Sequence, residues 1–263
     1  HIMDAVDNRQ SDPQGSIVLR VSVCSLSGSI RLMPLTLKQH AYAVIREKLI
    51  SGAIHSGQRL SDDAFAKELG ISRSPVREAI SQLASEGLVD YRPRSGAYVR
   101  VPVLDELAEL YDVRLALEPF AVAKATERMQ PHELAALQQL LIDMQAIVEE
   151  CRSRPGHIAE KALTERFLVI DHEFHMLILA AAGNKRMMRM VDDCKVMVRV
   201  FGHVPVIHDL KLIEETASQH EEILRDIERG EGAIAANHMR EHIEFARNVI
   251  IQCNLLSKAT ADQ

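Results

Sequence analysis

The stretch from Leu60 to Arg100 constrains this chain most, because it specifies two short helices, the tight turn between them and a hairpin behind them. Ser61 is an N-cap residue whose hydroxyl can accept a free backbone N–H, and Asp62 and Asp63 suit the positive end of the helix that follows, through Leu69. Gly70 stands where a residue of positive φ closes a helix. Ile71-Ser72 leads into a second helix from Arg73 to Leu83, where Pro75 is acceptable only because it lies in the first turn. Val76, Ile80 and Leu83 recur at three- and four-residue spacing and face inward, which leaves Ser72, Arg73, Ser74 and Arg77 on the outer face of the N-terminal end. Beyond Glu86-Gly87-Leu88, Val89-Asp90-Tyr91 reads as a strand, Arg92 to Gly96 as a turn and Ala97 to Val101 as the return strand.

A helix presented in this way fits a DNA major groove N-terminus first, and the turn tip from Arg94 to Gly96 would be a wing beside it. Thr36 can cap an earlier helix running to Ile50, whose stripe of Ala41, Ile45 and Leu49 completes a three-helix core. Charge agrees with this placement. Thr36 to Val101 holds ten Lys and Arg against seven Asp and Glu, in a chain whose net charge is −6. Residues 102–263 hold eighteen against twenty-seven, which argues against phosphate binding outside the N-terminal domain.

With 263 residues, 47% of them hydrophobic, no Trp and only 4% aromatic, the chain has room for two domains with aliphatic helix packing. No apolar run reaches the ~20 residues that span a membrane, and no signal-peptide pattern opens the chain, so a cytoplasmic location is expected. Cys24, Cys151, Cys194 and Cys253 are scattered and read as reduced thiols. His1-Ile2-Met3 reads as a tag remnant. Asp4 to Ser16 is polar, and Ile17 to Val23 has strand character without an evident partner. The expected organisation is a flexible tail over residues 1–33, a winged helix-turn-helix over 34–102, a helical domain over 103–257 and a flexible end over 258–263.

From Asp105 to Leu256 the period is helical, with breaks near Pro131, Pro155-Gly156, Gly183-Asn184, Gly202 to Pro205 and Gly230 to Gly232. Six or seven helices and no strands are expected, packed as an antiparallel bundle. Within it, Asp171 and His175 lie one turn apart on a single face, a pair that alone is weak evidence for a metal. His220 and His242 lie on two late helices that can pair across the Gly230 and Gly232 turn and face Asp171. Three imidazoles and a carboxylate suit a borderline divalent metal, with zinc, nickel and manganese all compatible. His238, one turn before His242, competes for that role. Arg114 could point into the core and fork a carboxylate, or simply pair with Glu118.

The string from Leu60-Ser61 through Ser72-Arg73-Ser74-Pro75-Val76-Arg77-Glu78-Ala79 to Glu86-Gly87-Leu88 resembles the winged helix of GntR-family bacterial transcription regulators. The resemblance implies that Ser72, Arg73 and Arg77 touch bases and phosphates and that Gly96 enters the minor groove; Arg94 is added from its position. Tyr111 to Glu118, Asp171, Phe174-His175, His220 and Met239 to Ile243 resemble the FCD ligand-binding domain of FadR-like regulators. That resemblance favours His242 over His238 and implies that Asp171, His175, His220 and His242 hold a metal, which helps to hold a small carboxylate effector. Arg114, with Asn184 and Arg199, is then expected to line the effector pocket.

These readings converge on a regulator, expected to be a repressor, that binds an inverted-repeat operator as a homodimer and responds to a small organic acid. The contrasting reading, a metal-dependent hydrolase fused to a DNA-binding module, lacks a well-placed second carboxylate or nucleophile. A purely structural DNA-binding protein would leave the internal Asp and His set unexplained.

Overall fold

The computed structural model of the protein describes residues 35–154, 160–201 and 210–261. The strand-like segment at residues 17–23 and the breaks expected at Pro155-Gly156 and at Gly202 to Pro205 lie outside them. The described chain divides into two compact units. One takes the residues through Lys48 together with Arg59–Tyr98, and the other takes Leu49–Gln58 and everything from Val99 onward.

Helix α1 spans Leu37–Ile50. Its start is a reciprocal cap: the Gln39 N–H donates to Thr36 Oγ1 at 3.2 Å, and the Thr36 N–H donates to Gln39 Oε1 at 2.9 Å. Helix α2, Asp62–Leu69, opens on Ser61, whose hydroxyl accepts from the Ala64 N–H at 3.3 Å. It closes on Gly70 at φ +67, with the Gly70 N–H donating to the Ala66 carbonyl. Helix α3 runs Arg73–Ser85 and buries Val76, Ala79, Ile80 and Leu83. With Ala41, Ile45, Leu60, Phe65 and Leu88, these side chains form the core of the first unit.

Strands β2 (Val89–Arg92) and β3 (Gly96–Val99) form the hairpin. A third strand, β1, escaped the sequence reading: Arg59 and Leu60 pair antiparallel with Tyr98 and Ala97 on the outer side of β3. Two residues carry no readable alternation, so only the pairing itself reveals this strand.

The second unit holds six helices among the described residues: α4 (Leu104–Thr126), α5 (Pro131–Arg152), α6 (Lys161–Ala181), α7 (Lys185–Phe201), α8 (Leu210–Arg229) and α9 (Gly232–Ala261). Their starts follow from local chemistry. Gln130 and Glu133 cap α5 with Pro131 at its first position, and Asn184 Oδ1 accepts from the backbone N–H groups of Arg186 and Met187 to open α7. Gly230, at φ +73, turns α8 into α9. Leu137, Met144, Ile147, Leu163, Phe174 and Ile178 are fully or almost fully buried at the centre of the bundle. No helix among the described residues is long and apolar enough to cross a membrane.

Candidate functional site

Asp171, His175, His220 and His242 converge in the bundle from α6, α8 and α9, each offering a donor atom within 4.8 Å of the other three. His175, His220 and His242 are almost wholly buried. Nε2 of His175 lies 3.2 Å from Nε2 of His242. Asp171 Oδ1 lies 3.3 Å from His220 Nε2 and 3.7 Å from His175 Nε2. Phe174 walls the cluster, its ring edge-on to His220 at 4.6 Å between centroids.

The outward nitrogen of each imidazole meets an acceptor. His220 Nδ1–H donates to the Thr216 carbonyl at 2.7 Å, and His175 Nδ1–H donates to the Glu118 carboxylate. His242 Nδ1–H donates to Gln219 Oε1 at 3.0 Å, the amide being oriented because its own Nε2 donates to Glu215. A carbonyl or a carboxylate can only accept, so the proton sits on Nδ1 and the Nε2 lone pairs all point inward. Nε2 of His220 is buried and lacks a hydrogen-bond partner. An unpartnered buried nitrogen beside two further inward lone pairs and a carboxylate is costly for the protein alone and fits a cation. These residues therefore suit a divalent metal of the imidazole-preferring kind.

Electrostatics keeps the donors in the ligating form. Burial pushes the Asp171 carboxyl up, but the Lys195 ammonium, 3.0 Å from Oδ2, opposes it, and the group is held well below the ordinary range. Burial lowers His220, and burial with the adjacent imidazoles lowers His242 further, which keeps both rings neutral. Arg114 and Glu118, both buried on α4, form an ion pair at 2.6 Å. Burial raises Glu118, yet Arg114 and His175 more than reverse that and keep it a carboxylate. Tyr111 lies under the guanidinium, 5.1 Å from its carbon to the ring centroid, and burial pushes its phenol up to about 12.

The four expected metal ligands are thus brought together, and Arg114 is buried next to them, paired with the Glu118 carboxylate that also accepts from His175. His238 is elsewhere, its Nδ1 2.6 Å from the buried Asp226. Asn184 is exposed and occupied as a helix cap, and Arg199 is half-buried on the last turn of α7. Three supporting side chains were not legible in the sequence: Glu118 as the acceptor for His175, Gln219 for His242, and Lys195 beside Asp171. Lys195 had one usable signal, a cation on the apolar stripe of α7 one turn after Val191.

In the first unit, Ser72, Arg73, Ser74 and Arg77 are all exposed at the start of α3, and Ser72 makes no cap bond to its own helix. Arg73 pairs with Asp63, and Arg77 Nε lies 3.1 Å from Asp62 Oδ2. Arg94 is exposed at the hairpin turn with φ +62, the one positive value among the described non-glycine residues. Pro93 precedes it and the Ser95 N–H donates to the Arg92 carbonyl at 3.1 Å, the signature of a type II turn with arginine in the position glycine prefers. Gly96 opens β3 at φ +102.

Comparison with known proteins agrees with both halves. The family model for bacterial regulatory proteins of the gntR family matches residues 37–99, and the FCD domain model matches residues 109–245. The Nta operon transcriptional regulator of Aminobacter aminovorans is 25% identical over 202 residues, 76% of this chain and 90% of that protein. The gluconate operon transcriptional repressor of Bacillus subtilis (strain 168) is 32% identical over 157 residues, 60% of each chain. Among solved structures, E. coli McbR/YncC shares the fold with a TM-score of 0.71 at 22% identity, covering 83% of this chain and 98% of that one. The winged helix, the helical domain and these matches together make the chain a member of the GntR family of bacterial regulatory proteins with an FCD domain, a DNA-binding transcription regulator and not an enzyme.

Proposed function

We propose that this regulator is a homodimeric repressor whose grip on an inverted-repeat operator is controlled by a small organic acid held beside a divalent metal in the helical domain. The observation that carries the reading is the convergence of three inward imidazole nitrogens and one carboxylate, with every outward nitrogen already satisfied. Asp171, His175, His220 and His242 would hold the metal, zinc being favoured by the donor set and nickel or manganese also compatible. A metal held this way supplies a Lewis-acidic anchor for a carboxylate. Arg114 would add a planar, permanently charged donor next to it. Arg199 and Asn184 are assigned to the outer part of the pocket, in which Asn184 would have to give up its cap.

On the DNA side, Ser72, Arg73, Ser74 and Arg77 would enter the major groove, and Arg94 and Gly96 would approach the minor groove from the wing. The repressor sense is supported by the name of the gluconate operon relative. An effector shifts operator binding only as far as it binds the two states of the protein differently.

The test is thermal unfolding against mono-, di- and tricarboxylates and sugar acids, each with metal present and after chelation. A ligand that binds only the folded state raises the midpoint. Stabilisation by one acid class that disappears with the metal is the expected result. A protein stabilised by metal but by no acid overturns the effector reading.

A further inference from the structure

Strand β1 sets Arg59 opposite Tyr98 and Leu60 opposite Ala97 on β3. Leu60 and Ala97 are buried, so Arg59, Tyr98 and Gly96 share the other face of the sheet. Arg59 is exposed there and lies along β3 against the start of that strand: a Cβ on Gly96 would stand 3.5 Å from its Nε and 3.7 Å from its Nη2. The Tyr98 ring carries a second guanidinium, that of Arg92, whose carbon is 4.2 Å from the ring centre. Arg94, at the turn between β2 and β3, is the third arginine of this small sheet.

These three differ from the arginines of α3. Arg73 and Arg77 are each paired with an aspartate, whereas Arg59, Arg92 and Arg94 have no carboxylate partner among the described residues. Unneutralised cations gathered on one small sheet repel one another, and a polyanion laid against them relieves the repulsion. Two of the heads are also held in place, Arg92 by the Tyr98 ring and Arg59 by the backbone of Gly96, so less side-chain freedom is lost on binding. A planar guanidinium forks a phosphate through two N–H donors. On the flank of the sheet, behind the hairpin tip, such a group meets the sugar-phosphate backbone at the edge of a groove, and base edges are left to α3 and the tip.

We propose that Arg59 and Arg92 each grip a backbone phosphate of the DNA beside the wing, and that these two contacts place the wing so that Arg94 reaches the minor groove. The proposal rests on the DNA reading of α3 and the wing given above. It adds two residues that lie outside the helix-turn-helix motif, one of them on a strand that only the pairing of β1 with β3 reveals.

Fluorescence anisotropy of the full chain on a labelled random-sequence duplex, repeated over a salt series, tests it. The variants are Arg59→Ala, Arg59→Lys, Arg92→Ala and, as a control for net charge, Arg189→Ala at an exposed position of α7. Arg59→Ala and Arg92→Ala are each expected to weaken binding by ~5–10-fold at about 0.1 M salt, and to lower the salt slope by ~1 for each chain on the duplex. Arg59→Lys keeps the charge and therefore the slope, and loses part of the affinity with the fork. Arg189→Ala is expected to change neither quantity. A lowered melting midpoint in Arg59→Ala with an unchanged slope makes that residue structural and overturns the proposal, as does an equal loss of slope in Arg189→Ala. Unchanged binding in Arg59→Ala and Arg92→Ala, while Arg73→Ala and Arg77→Ala lose affinity, overturns the contact at the flank of the sheet alone. A wild-type chain that does not bind the duplex overturns the DNA reading of α3 and the wing, and this proposal with it.

Discussion

Nε2 of His175 and Nε2 of His242 face each other at 3.2 Å, and both rings carry their proton on the far nitrogen. Two lone pairs at that distance repel each other unless a cation lies between them. The surrounding acceptors, Glu118 and Gln219, prevent either ring from relieving the repulsion by changing tautomer.

Removal of the proposed metal is therefore expected to lower the stability of the helical domain. A free metal concentration 100-fold above its dissociation constant stabilises the fold by ~2.7 kcal/mol, which a chelator abolishes in a thermal melt. His220→Ala and His242→Ala lose both the bound metal, read by elemental analysis, and this difference. Full metal occupancy in His242→Ala would contradict the ligand assignment.

Glu118 neutralises a buried guanidinium and fixes His175 at the same time. Glu118→Ala leaves Arg114 uncompensated, and urea unfolding should show a loss of ~3–5 kcal/mol. Replacing both members, as Arg114→Met with Glu118→Leu, costs less than Glu118→Ala alone. Metal affinity falls by ~10–100-fold in either case, because His175 loses the partner that orients it.

Gly232 opens α9 against α4. A Cβ there would lie 3.0 Å from the Ala123 carbonyl oxygen and 3.3 Å from its Cα, both rigid backbone atoms. Gly232→Ala thus destabilises the domain although alanine is the better helix former, and Gly232→Val costs more, ~1–3 kcal/mol by chemical denaturation. An alanine variant more stable than wild type would show that α4 and α9 can separate at no cost.

Arg73 and Arg77 are paired with Asp63 and Asp62, and in the proposed DNA-bound state they would exchange these partners for phosphates and bases. Asp62→Asn and Asp63→Asn are expected to tighten binding to random-sequence duplex by up to about five-fold each, the scale of an exposed ion pair of ~1 kcal/mol. Arg73→Ala and Arg77→Ala weaken it and reduce its salt dependence. Fluorescence anisotropy at several salt concentrations measures both. Unchanged affinity in the arginine variants would remove α3 as the reading helix.

The legible parts of this protein were those with a local cause. Ser61, Gly70, Gln130 and Gly230 mark helix ends by chemistry acting within about one turn, and all four stand at helix boundaries in the structure. Asp171 and His175 were legible as a pair because helix geometry alone puts them on one face. That His220 and His242 can join them followed from pairing the two late helices across the Gly230 turn, and the preference for His242 over His238 came from family resemblance, since spacing along the chain does not choose between them.

The sequence by itself determined the two-part organisation, the winged-helix layout and the helical character of the rest, because capping, glycine conformation and apolar periodicity are set within a few residues. Tertiary structure alone decided that β1 pairs with β3, that His238 turns to Asp226 while His242 turns inward, and that Glu118, Gln219 and Lys195 support the donor set. Each of these depends on the axial register of elements distant in sequence. That register follows from the packing of whole helix faces, such as Gly232 against Ala123, rather than from any short stretch of chain.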